Sequence, residues 1–515
     1  MGMIRVLLFL LLYPAIVSAQ VEITWGIPQK SERKTDMTDM LGADEAYVYA
    51  LRQDFSAFGS DEPIIERYKQ TDLSLDYTKR ISHKRFDGIT LHPVTQFFIN
   101  DKILAFATYY DRDKDINFAY AEVLDDNAAP TRSWIEVARI SADKKSNRGS
   151  FYFQMAQDSA HILVVSNPPY DKYAGEKFTL QLLDSDLNSV WKNEVKPPYT
   201  DQFFSLENYI VDKNGLVYML ATISEDRSAM SREERRKTPT YYHSVLTFNP
   251  KTAELTNYEV KLDPKFISDI IFAVTDSGDI VCSGFYSNKN SSDIIGTFYL
   301  TIDKDTKQIV NQHTMDFPQD FLSQFMSEGR AAKKKELYNY NLRYLVQRAD
   351  GGAILVAEQY YEYEVCSVDP KTGAQTCTYY YYYNDIIVVN IDPSGTIQWA
   401  RKIPKLQVSH NDGGYYLSFA MHVTDNTLYF MFNDNPKNLN VPPGGKYKYM
   451  GNLKKSVAVL VSMDMKGDQV RQPMFRSEDL KTYLRPKLYM NVSAKRMFLY
   501  GQRRSMYKLA EVKFD

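Results

Sequence analysis

The residues best equipped for chemistry crowd into one stretch of the chain, residues 355–390. Cys366 and Cys377 flank the segment CSVDPKTGAQTC. Asp369, Pro370 and Gly373 are turn formers, so the segment reads as a hairpin centred between Lys371 and Thr372. Pairing about that centre sets Cys366 opposite Cys377, within reach of a disulfide. A pair of free thiols is the alternative, and a zinc site lacks a neighbouring His or second Cys pair. Tyr360, Tyr361 and Tyr363 lie on one arm of the hairpin, and Tyr379, Tyr380, Tyr381, Tyr382 and Tyr383 on the other. Neighbours on a strand face opposite ways, so five consecutive tyrosines cannot all enter one core. Tyrosine joins a large contact area to a polar tip, which suits a partner-binding surface. Tyr361, Tyr363 and Tyr379 to Tyr383 are therefore the candidate partner-binding residues. The plainer alternative is an extended hairpin folded back over its own domain.

Other motifs lead to less. Asp111, Asp113, Asp115 and Glu122 occupy positions 1, 3, 5 and 12 of a calcium-loop spacing. Ile116 stands where the tight-turning Gly belongs, and the flanks read as strands, which favours a solvated hairpin loop. The sequence contains no GxSxG elbow, HExxH pair, CxxC or phosphate-binding Gly loop. Its seven His have no metal-ligand spacing. DPSGTIQW, from Asp392, approaches the Asp-box of sialidases, but the spacing about Gly395 is off, and a structural turn explains it. Cys282 reads as a small buried hydrophobe. No catalytic residue and no cofactor is expected.

Two signals recur seven times each and supply the elements that hold the hairpin. The first is a polar turn running into a hydrophobic strand, as in DSAHILVVS from Asp158, DKNGLVYMLAT from Asp212, DGGAILVAEQY from Asp350 and DNTLYFMFND from Asp425. The second is a turn before a strand that usually bears an aromatic residue. Tyr77, Trp191, Tyr258 and Trp399 each precede an aliphatic residue four positions on, namely Ile81, Val195, Leu262 and Ile403. That even offset places the two on one face of a strand. Trp134 marks a less regular copy, and the copies near Val310 and Arg471 lack the aromatic residue. Units this small cannot bury their own faces and must stack. The fold class is all-β, a β-propeller of seven blades, or eight if EAYVYALRQ and EPIIERYKQ form strands of a further blade. Abundant Tyr, 39 of 515 residues, agrees with β-structure. Residues 485–515 supply three strands of the last blade, and a strand near Tyr77, within 72–82, is expected to complete it and hide two open edges. The expected organisation is a leader at 1–19, an N-terminal extension at 20–44 and one propeller domain at 45–515. Helical insertions fall at 224–240, a charged one, and at 318–338, and the extended hairpin spans 355–390.

Arg5, the apolar run Val6 to Val17, and Ser18-Ala19 before Gln20 match an export signal peptide. The alternative is a retained anchor. No Cys sits at the cleavage point, which argues against a bacterial lipid anchor. No later stretch is apolar for long enough to span a membrane as a helix. A net charge of −2 offers no electrostatic case for nucleic acid.

RADGGAILVAEQYY, YYYNDIIVVNIDPSGTIQWARKIPK, NDGGYYLS and LYFMFNDNPKNL together resemble a family of secreted Bacteroidetes β-propeller proteins with pyrroloquinoline-quinone or WD-like repeats. The likeness is best over residues 320–440. It implies a fold and an exported location, and no particular activity. The sequence-level expectation is a non-enzymatic interaction module of the periplasm or outer envelope that binds another protein of the envelope. Because the chain ends on a strand of the ring, periplasmic residence is preferred over surface display. The alternative is a glycan hydrolase or lyase whose carboxylates meet in the central channel.

Overall fold

The structure is a computed structural model that describes residues 21–515, apart from 56–61, 82–83, 227–229, 232–239, 263, 289–292, 334 and 443–444. The leader and most of the 224–240 insertion lie outside the described residues.

Thr35–Ala43, Tyr47–Asp54, Pro63–Lys69 and Leu75–Arg80 pair in chain order as a four-stranded antiparallel sheet, blade 1. The same plan repeats at residues 92–141, 150–195, 204–260, 266–316, 340–403 and 420–476, blades 2 to 7. Blade 8 takes three strands from residues 483–514 and its outermost strand from Val21–Trp25. Two short helices, Gln319–Leu322 and Glu328–Ala332, lie in the link between blades 5 and 6.

The turns explain why the chain reverses so regularly. Asp184 Oδ1 accepts the amides of Asp186 at 2.9 Å and Asn188 at 2.8 Å. Asp392 does the same for Ser394 and Thr396, and Asp464 for Lys466 and Asp468. One carboxylate thus satisfies two amides that the ladder leaves unpaired. The innermost strands repeat a second device. Blades 1, 4 and 5 slip register by one residue at Thr38, Glu207 and Ser268. The next residue, Asp39, Asn208 or Asp269, accepts the amide that follows it at 2.8 to 2.9 Å. A bulge twists the strand, and the Asx side chain satisfies a displaced amide.

Each blade packs its flat face on the next. Eight hydrophobic cores each join two consecutive blades. The one between blades 8 and 1, with Met37, Val48 and Tyr68 against Phe498, Tyr500 and Leu509, closes the ring. The protein is therefore a closed β-propeller with eight blades rather than seven. EAYVYALRQ and EPIIERYKQ supply the two middle strands of the additional blade.

Two further expectations are corrected. The strand bearing Tyr77 does not complete the last blade: Tyr77 pairs with Arg67 inside blade 1. A short connection from Pro63–Lys69 delivers it there, and neighbouring strands joined by short loops pair preferentially. Nor are residues 20–44 an extension outside the ring. Val21–Trp25 runs antiparallel to the C-terminal strand, from Val21↔Phe514 to Trp25↔Ala510, and Thr35–Ala43 is the inner strand of blade 1. In VEITW the alternate residues Val21, Ile23 and Trp25 pack on the core between blades 7 and 8. Trp25 meets Phe475 edge-on at 5.2 Å. It also covers Gly501, where a Cβ would fall 2.8 Å from its ring.

Candidate functional site

In blade 6 the second and third strands outgrow their sheet. Ala353–Val368 pairs with Gln375–Ile391, and the inner strand stops covering the first of these at Tyr340↔Gln359. From Tyr360↔Tyr383 to Val368↔Gln375 the two strands continue beyond the blade as an arm. Gln407–His410 adds a third strand along Tyr380 to Tyr383. At the tip, Asp369 Oδ1 accepts the amides of Lys371 at 2.7 Å and Thr372 at 3.1 Å. Cys366 and Cys377 lie directly opposite, 4.0 Å apart at Cα, and form a disulfide. Its twelve-residue loop, closed across a separation of 11, is worth roughly 3 kcal/mol in the loop-entropy account.

The arm has two unlike faces. One carries a ladder of stacked rings: Tyr361 on Tyr382 at 4.7 Å, Tyr363 on Tyr380 at 5.2 Å, and Tyr363 on Tyr382 at 5.6 Å. Tyr449 meets Tyr382 edge-on, and His410 borders Tyr380. Tyr363 is 45% exposed and Val365 49%, so the ladder opens to solvent. The other face holds Glu362, Glu364, Tyr379, Tyr381 and the disulfide. Tyr379 is exposed there, while Tyr381 packs with Tyr360, Tyr383, Leu417 and Met450.

Tyr383 departs from the expectation. It is only 7% exposed, its ring lies 4.6 Å from that of Tyr360, and its hydroxyl accepts from Lys487 Nζ at 2.7 Å. It belongs to the root of the arm and is withdrawn from any partner surface. The cause is parity: residues 379, 381 and 383 share the face that turns onto the ring, and 383 lies nearest to it.

Sequence reasoning missed what fixes the root. Lys405 is fully buried, its ammonium bonded to Glu358 Oε1 at 2.8 Å, Gln407 Oε1 at 3.0 Å and the Tyr383 carbonyl at 3.0 Å. Glu358 Oε2 accepts from Ser418 Oγ at 2.7 Å, and Gln407 Nε2 donates to the Asn433 carbonyl at 2.7 Å. Burial pushes the Lys405 ammonium below its ordinary value, with the Glu358 charge opposing. Such a pair gives orientation more than stability. It joins the arm to the blade 6–7 junction. The available signal was Glu358 itself, an acid at the end of the apolar run AILVA.

The calcium-loop residues do not converge. Asp111, Asp113 and Asp115 lie around the tight turn between Lys102–Asp111 and Ile116–Leu124. Asp111 Oδ1 accepts the amides of Asp113 and Lys114, and Lys114 Nζ lies 2.9 Å from its other oxygen. Glu122 pairs with Ala105, six positions along the ladder from Asp111, or roughly 20 Å away. Among the described residues, one group places three potential metal ligands together: Glu364, Cys366 and Cys377. Its two sulfurs are bonded to each other.

Two carboxylates on the inner strands, Asp39 and Asp269, serve the backbone, while Glu207 accepts from the Thr222 hydroxyl and Asp36 pairs with Arg485. Asp269 accepts the amides of Ile270 and Leu342, and Asp39 that of Met40. A different pair lies at the rim. An open cleft of about 1070 Å³ beside blade 3 is lined by Glu176, Asp201, Tyr170 and Tyr173. Burial and the neighbouring Asp201 carboxylate push Glu176 up to about 8.

No protein-family profile matches the chain, and no curated protein matches it. Solved propellers do. The WD40 domain of SCAP from fission yeast is 9% identical over 96% of this chain and 98% of its own, with a TM-score of 0.40. The β-propeller domain of the Trilobed protease from Pyrococcus furiosus, described as having an open velcro topology, is 10% identical over 85% and 98%, with a TM-score of 0.36. A polysaccharide lyase of family PL25, an ulvan lyase, is 9% identical over 92% and 93%, with a TM-score of 0.37. Likenesses of this size say nothing about activity, and the ring rests on its own eight sheets and interfaces. Among the described residues, no helix is long and apolar enough to cross a membrane.

Proposed function

We propose that this chain is a non-enzymatic interaction module of the cell envelope, exported by the leader at residues 1–19, and that the arm of blade 6 is its partner-docking surface. The observation that carries this reading is the stacked Tyr361–Tyr363–Tyr380–Tyr382 ladder, half-buried and opening to solvent at Tyr363, on a disulfide-closed arm. A braced, stacked surface loses little freedom on docking, so more of the contact energy appears as affinity. The WD-like family resemblance and the export-signal pattern at residues 1–19 support an envelope compartment.

The test is crosslinking in the native envelope, comparing wild type with Tyr361→Ser/Tyr363→Ser/Tyr382→Ser. The expected result is loss of a specific crosslinked partner with an unchanged circular dichroism spectrum. Retention of every crosslink overturns the docking role. Intact-mass analysis of the exported protein should place its N-terminus at Gln20.

A second reading, a glycan hydrolase or lyase, draws on Glu176 and Asp201. A carboxyl held near 8 is protonated at neutral pH and suited to general-acid work. On this second reading the chemistry belongs to the rim cleft rather than to the channel. Turnover of envelope glycans that Glu176→Gln abolishes would establish it in place of the first reading.

A further inference from the structure

The arm is open along one side and closed along the other, and the register shows which backbone groups are left over. In antiparallel pairs, narrow positions alternate with wide ones, and at narrow positions both residues point their N–H and C=O groups away from each other. The 4.0 Å Cα separation makes Cys366↔Cys377 a narrow pair. Stepping by two, Glu364↔Tyr379, Glu362↔Tyr381 and Tyr360↔Tyr383 are narrow as well. The neighbouring contacts agree. The outward amide of Tyr360 donates to the Asn339 carbonyl at 2.9 Å. On the opposite side, the amide of Tyr379 donates to Asn411 Oδ1 and its carbonyl accepts the Asn411 amide. Gln407–His410 closes that side further in.

Glu362, Glu364 and Cys366 have no such cover. Their outward N–H and C=O groups find no strand among the described residues, and all three side chains are exposed. Residues 361–368 thus form an eight-residue free edge on a braced hairpin. Natural sheets usually blunt such edges with proline, bulges or very short strands. None of these is present between Tyr361 and Val368, where the charges of Glu362 and Glu364 are the one blunting device.

We infer that this edge takes an added β-strand from a partner protein, an extended segment in which basic residues alternate with apolar or aromatic ones. The inference rests on the docking role proposed for the arm and specifies the partner's chemistry. Residues directly opposite on paired strands share a face. Partner residues opposite Glu362 and Glu364 meet carboxylates. Those opposite Tyr361, Tyr363 and Val365 extend the ring ladder. Backbone bonds hold the strand, and the alternating side chains select it. A second copy of this chain is a poor occupant. Antiparallel self-pairing of the edge gathers four glutamates onto one face of the seam, opposite or diagonal to one another.

The probe is a fluorescein-labelled octapeptide of alternating lysine and valine, with a glutamate–valine octapeptide as control, read by fluorescence anisotropy on the full chain. Wild type should bind the lysine peptide at least tenfold more tightly than the control. Glu364→Pro removes an outward amide while leaving the hairpin ladder intact, because that amide serves no internal bond. It should weaken binding tenfold or more, with the disulfide intact by non-reducing mass analysis. Glu362→Lys/Glu364→Lys keeps the backbone and should reverse the peptide preference, which holds the test open if the proline variant misfolds. Equal binding of both peptides, or wild-type affinity in a folded Glu364→Pro, overturns the inference. A concentration-dependent dimer that Glu364→Pro abolishes gives the edge to a second copy and also overturns it. If Tyr361→Ser/Tyr363→Ser/Tyr382→Ser loses its native crosslink while wild type ignores the lysine peptide, the docking role stands and the added strand falls. If the native crosslinks survive in that tyrosine variant, the docking role falls instead.

Discussion

Glu122 gives the structure a pH test with a definite sign. The side chain is 4% exposed in blade 2, and burial alone pushes its carboxyl up to about 7. The folded state therefore holds a proton between about 4.5 and 7 that the unfolded chain has released. Stability from this proton is full below 4.5, declines as pH rises through 7, and is absent above it. The full displacement corresponds to roughly 3 kcal/mol at 1.36 kcal/mol per pH unit. Relaxation around the charged form offsets part of this, leaving ~1.5–2 kcal/mol. Glu122→Gln removes the titration and keeps the shape. The assay is urea unfolding, followed by tryptophan fluorescence, of both proteins at pH 5 and pH 8. The variant should gain ~1.5–2 kcal/mol on wild type between the two pH values. Millimolar calcium should leave that gain unchanged, since Glu122 and the three aspartates do not meet. Parallel pH profiles for the two proteins would refute the burial argument, and a calcium-dependent gain would restore the metal loop.

Two further outcomes follow from the same geometry. Cys366→Ala/Cys377→Ala should speed amide exchange in residues 360–383 on the order of a hundredfold, from the roughly 3 kcal/mol lost with the closed loop, while the strands of blades 2 to 4 exchange as before. Hydrogen-exchange mass spectrometry reads both at once. Trp25→Ala should cost roughly 2–3 kcal/mol, below the value for a fully buried Trp because the side chain is half-buried. It should also expose residues 21–30 to limited proteolysis, and an unchanged cleavage pattern would contradict closure through Val21–Trp25.

The legible part of the fold was its local part. Alternation in FTLQLL and the Asp-led turns mark strands and reversals because both act within a few residues. The additional blade was harder to read because its first turn, ADEA, has no Gly. Asp44 shapes it by accepting the amides of Ala46 and Tyr47, each at 2.7 Å. VEITW has the right alternation, yet nothing local says that its partner is the C-terminal strand. The arm followed the same rule. The Cys366–Cys377 pairing came from turn symmetry, and the unlike tyrosine faces were implicit in the parity of the run. Lys405, in the sequence PKLQV, reads as a surface lysine. Its burial depends on Glu358, Gln407 and Ser418 meeting around it, which only the packed ring arranges.

The closing strand also sets an order in time. Val21 and Phe514 pair across almost the whole described chain. Joining them in an otherwise unstructured chain would cost on the order of 5–6 kcal/mol in loop-closure entropy, before a single bond of the seam rewards it. Seven blades need no such meeting, because each is a run of consecutive hairpins that forms as its own residues become available. Stacked blades curve the chain into an open ring and bring its ends near one another, so the long closure becomes a short one. The seam is then the last contact made and the first released, and the propeller opens as a ring with a clasp while its blades remain folded.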